Sequence, residues 1–315
     1  MTKTVRVGTR GSRLALAQTE LAIAALRKAR LPVDFEIVTI STKGDVDKRP
    51  LFTMDEKGIF EREVNEAVRN GSVDFAVHSL KDVPSDLSDE LTVASVPKRA
   101  SPNDVLVTPD GRKLGELAAG SLVGTSSLRR AVQLFKLRPD LTVKPIRGNV
   151  ETRVKKVISG EYGAVVLAEA GLYRIGMKDM IAERFRVTEF VPAPGQGAIA
   201  IVCRKRNRQM VEMLKSIEDA QSRAEVLAER ALISRVEGGC RFPLGAVAIA
   251  KEDRLVLHAS VFSSDGKRHI RSSKTGRVRE PDSLGSRVAE ELISQGAMEL
   301  AQGWRAAVQE WNSKL

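Results

Sequence analysis

The 315-residue sequence predicts an α/β protein of two lobes followed by a C-terminal α+β domain, a three-stranded antiparallel sheet with helices. Three observations predict it. Over the first two-thirds, short apolar strand patterns alternate with helical ones, as expected for parallel strands covered by helices. Two turn-rich connectors, PKRASPN (97–103) and VPAPGQG (191–197), bracket a middle section. Past the second connector the pattern changes, and three consecutive strands precede a closing helix.

The elements follow in order. TVRVG (4–8) is a strand and 12–29 a helix, with Leu14, Ala17, Leu21 and Ala25 on one face. VDFEIVTI (33–40) is a strand, 58–71 a helix stopped by Gly71, and VDFAVHS (73–79) the next strand. LTVASV (91–96) and DVLVT (104–108) flank the first connector. Strands over 121–125, 141–146 and 162–168 alternate with helices over 127–137 and 149–159. AIAIVC (198–203) is a strand and 220–236 a long helix. LGAVAIA, RLVLHASVF and RHIRSSKT are the three last strands, and a helix runs from Asp282 to the end. No internal repeat is evident.

Composition narrows the function. The net charge of +11, from 51 Lys+Arg against 40 Asp+Glu, favours an anionic partner. Aromatic content of 4% argues against a binder that stacks single-stranded bases, and no nucleic-acid motif is present. Three histidines without Cys or His at ligand spacing predict no metal site. Two cysteines favour a reducing compartment, and the N-terminus carries no secretion pattern. With no membrane-length apolar run either, a cytoplasmic protein is expected.

Three strand-to-helix junctions, TRGSRLALAQ (9–18), GTSSLRRAVQ (124–133) and IRGNVETRVK (146–155), share an oddity. Each offers an N-cap, namely Ser12, Ser126 or Ser127, and Asn149. Each also sets arginines at the positive end of a helix dipole: Arg10 and Arg13, Arg129 and Arg130, Arg147 and Arg153. A bound anion compensates such an arrangement, so a cleft for several carboxylates is expected, with a phosphate ligand as the second reading. Asp82, in HSLKDVP (78–84), lies just past a strand end, where ligand sites of open sheets form. It is either a solvated turn residue or a carboxylate that stabilises a cationic intermediate and moves protons. Cys240, in RVEGGCRFPLG (235–245), follows two glycines and precedes Pro243. It is either a small buried hydrophobe at a helix end or a thiol presented for covalent chemistry.

Ten segments in order carry a resemblance across essentially the whole chain: TRGSRLALAQ, TKGD, EKGIF, AVHSLKDVP, VGTSSLRR, RGNVETR, LAEAGLYR, PAPGQGAI, LAERA and EGGCRFPLGA. The chain resembles the porphobilinogen deaminases. The resemblance implies two doubly wound lobes like those of periplasmic binding proteins, the second inserted in the first, with an active-site cleft between them. Domain 1 would then be 1–98 with 197–217, domain 2 99–196, and domain 3 218–315. It implies a monomer that joins four porphobilinogen units into hydroxymethylbilane, releasing ammonia at each step, with no nucleic-acid or membrane partner. The cofactor implied is a dipyrromethane held by a thioether to Cys240. Asp82 takes the catalytic role, contacting pyrrole N–H groups and stabilising the azafulvene cation.

The same resemblance assigns the remaining residues. Cofactor contacts fall to Ser79, Lys81, Asp82, Thr125 and Ser127, and to Arg129, Arg130, Arg147 and Gly171. Substrate contacts fall to Arg10, Ser12, Arg147, Arg153 and Arg174, with Gln196 and Gly197. Asp45, Lys57 and Phe60 match a mobile loop, in which Thr53 stands where many members have a second lysine. A non-catalytic anion receptor is the main rival, and it has no use for Cys240 or Asp82.

Overall fold

The computed structural model describes residues 3–29, 33–43, 61–84, 87–236, 244–302 and 304. These fall into two compact units, one reaching from the N-terminal strand to Ala100 and resuming over Gly197–Arg223, the other holding Ser101–Gln196 and the chain from Ala224. No helix among the described residues is long and apolar enough to cross a membrane.

The first unit is built on β1 (Lys3–Arg10), β2 (Val33–Ile40), β3 (Phe75–Ser79), β4 (Leu91–Ser95) and β10 (Ile199–Arg204), in the order β2-β1-β3-β10-β4. Its helices are α1 (Arg13–Lys28), α2 (Arg62–Asn70) and α6 (Arg208–Lys215). Successive strand residues point to opposite faces, so one strand feeds two cores. Phe75, Val77, Ile201 and Cys203 pack with Ile23 and Leu26 of α1 and Leu214 of α6. Between them, Ala76 and Val202 face Val64 and Val68 of α2.

The second unit begins with β5 (Asp104–Val107), β6 (Leu122–Gly124), β7 (Thr142–Lys144), β8 (Ala164–Ala168) and β9 (Ile181–Arg184), in the order β7-β6-β8-β5-β9. Helices α3 (Leu128–Leu137), α4 (Val150–Ile158) and α5 (Glu169–Arg174) accompany them. The unit also contains the antiparallel sheet β11 (Leu244–Lys251), β12 (Arg254–Phe262) and β13 (His269–Arg277). That sheet packs against α7 (Ala220–Val236), α8 (Pro281–Ser294) and α9 (Ala297–Gln302) through Leu232, Leu257, Val288 and Leu292.

The structure amends the expectations in four ways. The five-stranded sheets are mixed: β10 runs antiparallel to β3 and β4, and β5 antiparallel to β8 and β9. Both strands enter from a connector instead of a crossover helix, which is the connection that keeps neighbours parallel. The closing helix breaks at Gly296, whose φ of 90° suits glycine and ends α8. The short elements α5, α6 and β9 have too few residues to show a period. Finally, the two five-stranded sheets share one strand order and one pattern of directions, a repeat that the sequence barely records.

Val-Gly-Thr recurs within that repeat, at 7–9 and again at 123–125. Gly8 pairs with Ala76, three residues before the end of β3, and Gly124 with Val165, three before the end of β8. Both sites are too crowded for a side chain. A Cβ would come within 2.9 Å of Val73 at Gly8 and 3.0 Å of Ile146 and Tyr162 at Gly124. The threonine after each glycine is buried.

Candidate active site

In the first unit the residues of interest gather at the C-terminal ends of β1 and β3. Ser12 is the N-cap of α1, its Oγ accepting from the Ala15 amide at 3.3 Å, and no acidic residue stands in the first turn. Arg10, half-buried, is near enough to act on His78. Burial and then the Arg10 charge push the His78 pKa down to about 4, so its imidazole is neutral. The His78 ring lies 3.0 Å from Asn65 Oδ1 through Nε2. Ser79 ends the strand in a hydrogen bond with Gln18, 2.9 Å from Gln18 Nε2 to Ser79 Oγ.

Next comes a 3-10 turn, Leu80–Asp82. Leu80 is buried and its amide donates to the Ala198 carbonyl at 3.0 Å, while Lys81 and Asp82 are exposed beside one another. An apolar anchor thus holds the turn that carries these two charged residues. Gly197, with φ of 86°, accepts from the Ala100 amide at 3.2 Å.

The second unit carries most of the predicted arginines. Ser127 is the N-cap of α3 but makes no capping bond, and its neighbour Ser126 bridges instead to Ile146, donating to the carbonyl at 2.6 Å. Thr125 Oγ1 accepts from the Ser127 amide at 3.2 Å. Arg129 and Arg130, on the first turn of α3, are buried and meet one carboxylate, Asp104. Arg129 Nη1 donates to Asp104 Oδ2 at 2.7 Å, and Arg130 Nη2 to Oδ1 at 2.6 Å. Gln196 adds a third donor, Nε2 to Asp104 Oδ1 at 2.9 Å. Burial opposes charge on Asp104, yet the two guanidiniums outweigh it and hold the carboxyl well below the usual range.

The protein thus supplies an anion of its own, Asp104, beside the arginines at the start of α3. Asp104 was legible only as the polar first residue of DVLVT, a position that reads as a strand boundary. His78 and Gln133 were likewise missed. Gln133 fastens the start of the second connector, its Oε1 accepting from the Val191 amide at 2.7 Å.

Elsewhere in the unit Arg147, Arg153 and Arg174 bring further positive charge. Arg153, half-buried on α4, donates to the Gly148 carbonyl at 2.8 Å. Burial, then Arg130 and Arg147, push its pKa down to about 10. Asn149 caps α4, accepting from the Thr152 amide at 2.9 Å. Arg174, on α5 with the buried Gly171, is pushed down to about 10 by burial. Glu169 at the head of α5 is buried, accepting from Ser101 and Arg184.

Cys240, Asp45, Lys57 and Phe60 lie outside the described residues. Cys203 is fully buried in the first unit, where burial raises its thiol to about 11, which suits a core residue and not a nucleophile. Among the described residues no group of three or more His, Cys, Asp or Glu could hold a metal ion.

Comparison with known proteins places the chain in a family. Residues 5–212 match the family model "Porphobilinogen deaminase, dipyromethane cofactor binding domain", and residues 223–294 "Porphobilinogen deaminase, C-terminal domain". The probable porphobilinogen deaminase of Nitrosopumilus maritimus is 54% identical over 306 residues, 97% of this chain and 98% of that protein. The porphobilinogen deaminase of Roseiflexus castenholzii is 43% identical over 304 residues, 96% of this chain and all of that protein (100%). Among solved structures, a periplasmic substrate-binding protein of an ABC transporter from Coxiella burnetii superposes with a TM-score of 0.42 at 15% identity, over 68% of this chain and 91% of that one. With family models covering most of its length and relatives of this similarity, the chain belongs to the porphobilinogen deaminase family, transferases of tetrapyrrole biosynthesis that work on a dipyrromethane cofactor.

Proposed function

We propose that Asp82, Cys240 and the arginines of the two units divide the family's reaction between them. That reaction joins four porphobilinogen units head to tail into hydroxymethylbilane and releases an ammonia at each step. The observation that carries the assignment is Arg153, whose pKa is lowered by burial and by two neighbouring guanidiniums. Such a cluster is relieved by an anionic ligand, and each pyrrole of the substrate brings an acetate and a propionate. The donor set therefore fits a polycarboxylate primer.

When bound, dipyrromethane supplies the pyrrole α-carbon at which each new carbon–carbon bond forms. The chain's own residues do the rest. Cys240 anchors the primer through its sulfur. Arg129, Arg130 and Arg147, with Thr125, Ser127, Ser79 and Lys81, hold its carboxylates, and Gly171 leaves room beside them. Arg10, Ser12, Arg153 and Arg174, with Gln196 and Gly197, hold those of the incoming substrate. The Asp82 carboxylate balances the positive charge that grows on the substrate as ammonia departs. Its oxygens then accept the proton that the attacking pyrrole α-carbon gives up as that ring regains aromaticity. The apolar seat of Leu80 supports this role by fixing the turn that carries Asp82.

The same reading makes the enzyme a monomer of the reducing cytoplasm, which its two cysteines support, the described one being unpaired and buried. It also divides the chain into domains 1–98 with 197–217, 99–196 and 218–315, supported by separate cores under the three sheets.

Intact mass of the purified protein beside its Cys240→Ala variant tests the central assignment. The expected wild-type excess is two porphobilinogen units less two ammonias, absent from the variant. An excess retained by Cys240→Ala would remove Cys240 from its role.

A further inference from the structure

A guanidinium has five N–H donors, and how a protein occupies them decides what is left for a ligand. Arg130 places four within the protein: Nε and Nη2 on Asp104 Oδ1 at 2.9 and 2.6 Å, Nη2 again on Gln196 Oε1 at 3.4 Å, and Nη1 on the Val166 carbonyl at 3.1 Å. Arg129 places only two, both from Nη1, on Asp104 Oδ2 at 2.7 Å and the Val191 carbonyl at 2.6 Å. Its Nε and Nη2 have no hydrogen bond among the described residues. These two atoms form the side-on edge with which arginine grips a carboxylate. Asp104 itself is fully buried and takes a fourth hydrogen bond, from Gln196 Nε2, which also donates to the Pro102 carbonyl at 2.8 Å.

Resting on the reading that these arginines hold the primer's carboxylates, we propose that Asp104 is the positioning residue of the site. It locks Arg130 through four of its five N–H donors, leaving one for the primer, and turns Arg129 so that its Nε–Nη2 edge meets a ligand carboxylate. Gln196 acts through Asp104 and Arg130 in this arrangement, completing the lock. Charge alone predicts the opposite behaviour. A carboxylate beside two arginines weakens their attraction for anions, so removing it would strengthen capture if orientation did not matter.

That difference in sign makes the proposal testable on the full-length, cofactor-free protein. Porphobilinogen is added and the gain of covalent mass followed in time, with a thermal melt of each variant to normalise for folded protein. Asp104→Asn should load at least tenfold more slowly than wild type per folded molecule, despite its extra positive charge. Asp104→Glu keeps the charge but moves the carboxylate, and it should also load slowly; this variant decides the matter if Asp104→Asn does not fold. Arg129→Lys should slow loading with little change in melting, whereas Arg130→Lys should chiefly lower the melting temperature. Loading of Asp104→Glu at or above the wild-type rate would overturn the proposal, as would wild-type loading by Arg129→Lys. A wild type that gains no mass would instead sink the functional reading on which the proposal rests.

Discussion

The two five-stranded sheets repeat one topology and fill its equivalent positions with opposite chemistry. In the first unit the last residue of β3, Ser79, pairs with Ile199 of β10; in the second the last residue of β8, Ala168, pairs with Asp104 of β5. One step further along, Leu80 corresponds to Glu169. Ile199 and Leu80 are buried apolar anchors, and Asp104 and Glu169 are buried carboxylates. The first unit thus spends its apolar residues on holding an exposed carboxylate, Asp82, in place. The second buries carboxylates to organise arginines. Fold fixes where a site can form, whereas single substitutions at equivalent positions decide which sign of charge it presents.

The comparison breaks most sharply at Asp104. Asp104→Leu imitates the apolar anchor of the first unit but strips two buried guanidiniums of their shared carboxylate. Removing one side of a buried ion pair costs roughly 3–5 kcal/mol, and chemical denaturation should record a loss of that order. A loss under about 1 kcal/mol, the range of exposed pairs, would mean that water reaches these arginines and that the contrast between the units is shallow.

How legible this was depends on the kind of signal. Helices such as 13–28 and 220–236 were plain because a period of 3.6 needs only length to show itself. Asp82 and the arginines stood out because they break local preferences, charges set where a strand or a helix start does not ask for them. Asp104 broke no such preference, since a polar residue at a strand's edge is ordinary. Its meaning lies in two arginines 25 and 26 positions away, a contact that only the sheet order creates. The mixed direction of the sheets was hidden for the same reason: an apolar strand reads alike whichever way its neighbour runs.

Acid should separate the units next. His78, in the first, has its folded pKa lowered to about 4 from an ordinary 6.5, so the unfolded chain binds its proton first. Its contribution is intact above pH 6.5 and is lost as the pH falls to about 4, at about 1.4 kcal/mol per pH unit and about 3 kcal/mol in all. Asp104, in the second, is held below the ordinary carboxylate value of 3.8, so its contribution is lost only as the pH falls below that value. Denaturation curves between pH 7 and 4 should therefore be flatter for His78→Asn than for wild type. Equal slopes would show that His78 is not the group responsible.

A smaller effect is expected at Glu169. Its partner Arg184 has a side chain 57% exposed, against 6% for Arg129. Glu169→Leu therefore leaves a guanidinium that water can solvate, and the expected cost is about 1–2 kcal/mol, well under that of Asp104→Leu. Equal costs at the two sites would put the expense in lost packing and not in stranded charge.

The finest comparison is between the two N-cap serines, Ser12 on α1 and Ser127 on α3. Ser12 accepts a backbone hydrogen bond, so Ser12→Ala should lower stability by about 1 kcal/mol. Ser127 makes no such bond, and Ser127→Ala should fall within about 0.5 kcal/mol of wild type, as substitutions away from structural features do. A side chain that contributes little to the fold at a helix start, beside two arginines, has its use elsewhere. Ser127→Ala should accordingly slow primer loading while leaving the melting temperature almost unchanged. If Ser127→Ala melts lower but loads normally, its hydroxyl serves the helix after all, and the N-termini of α1 and α3 are equivalent in use as well as in place.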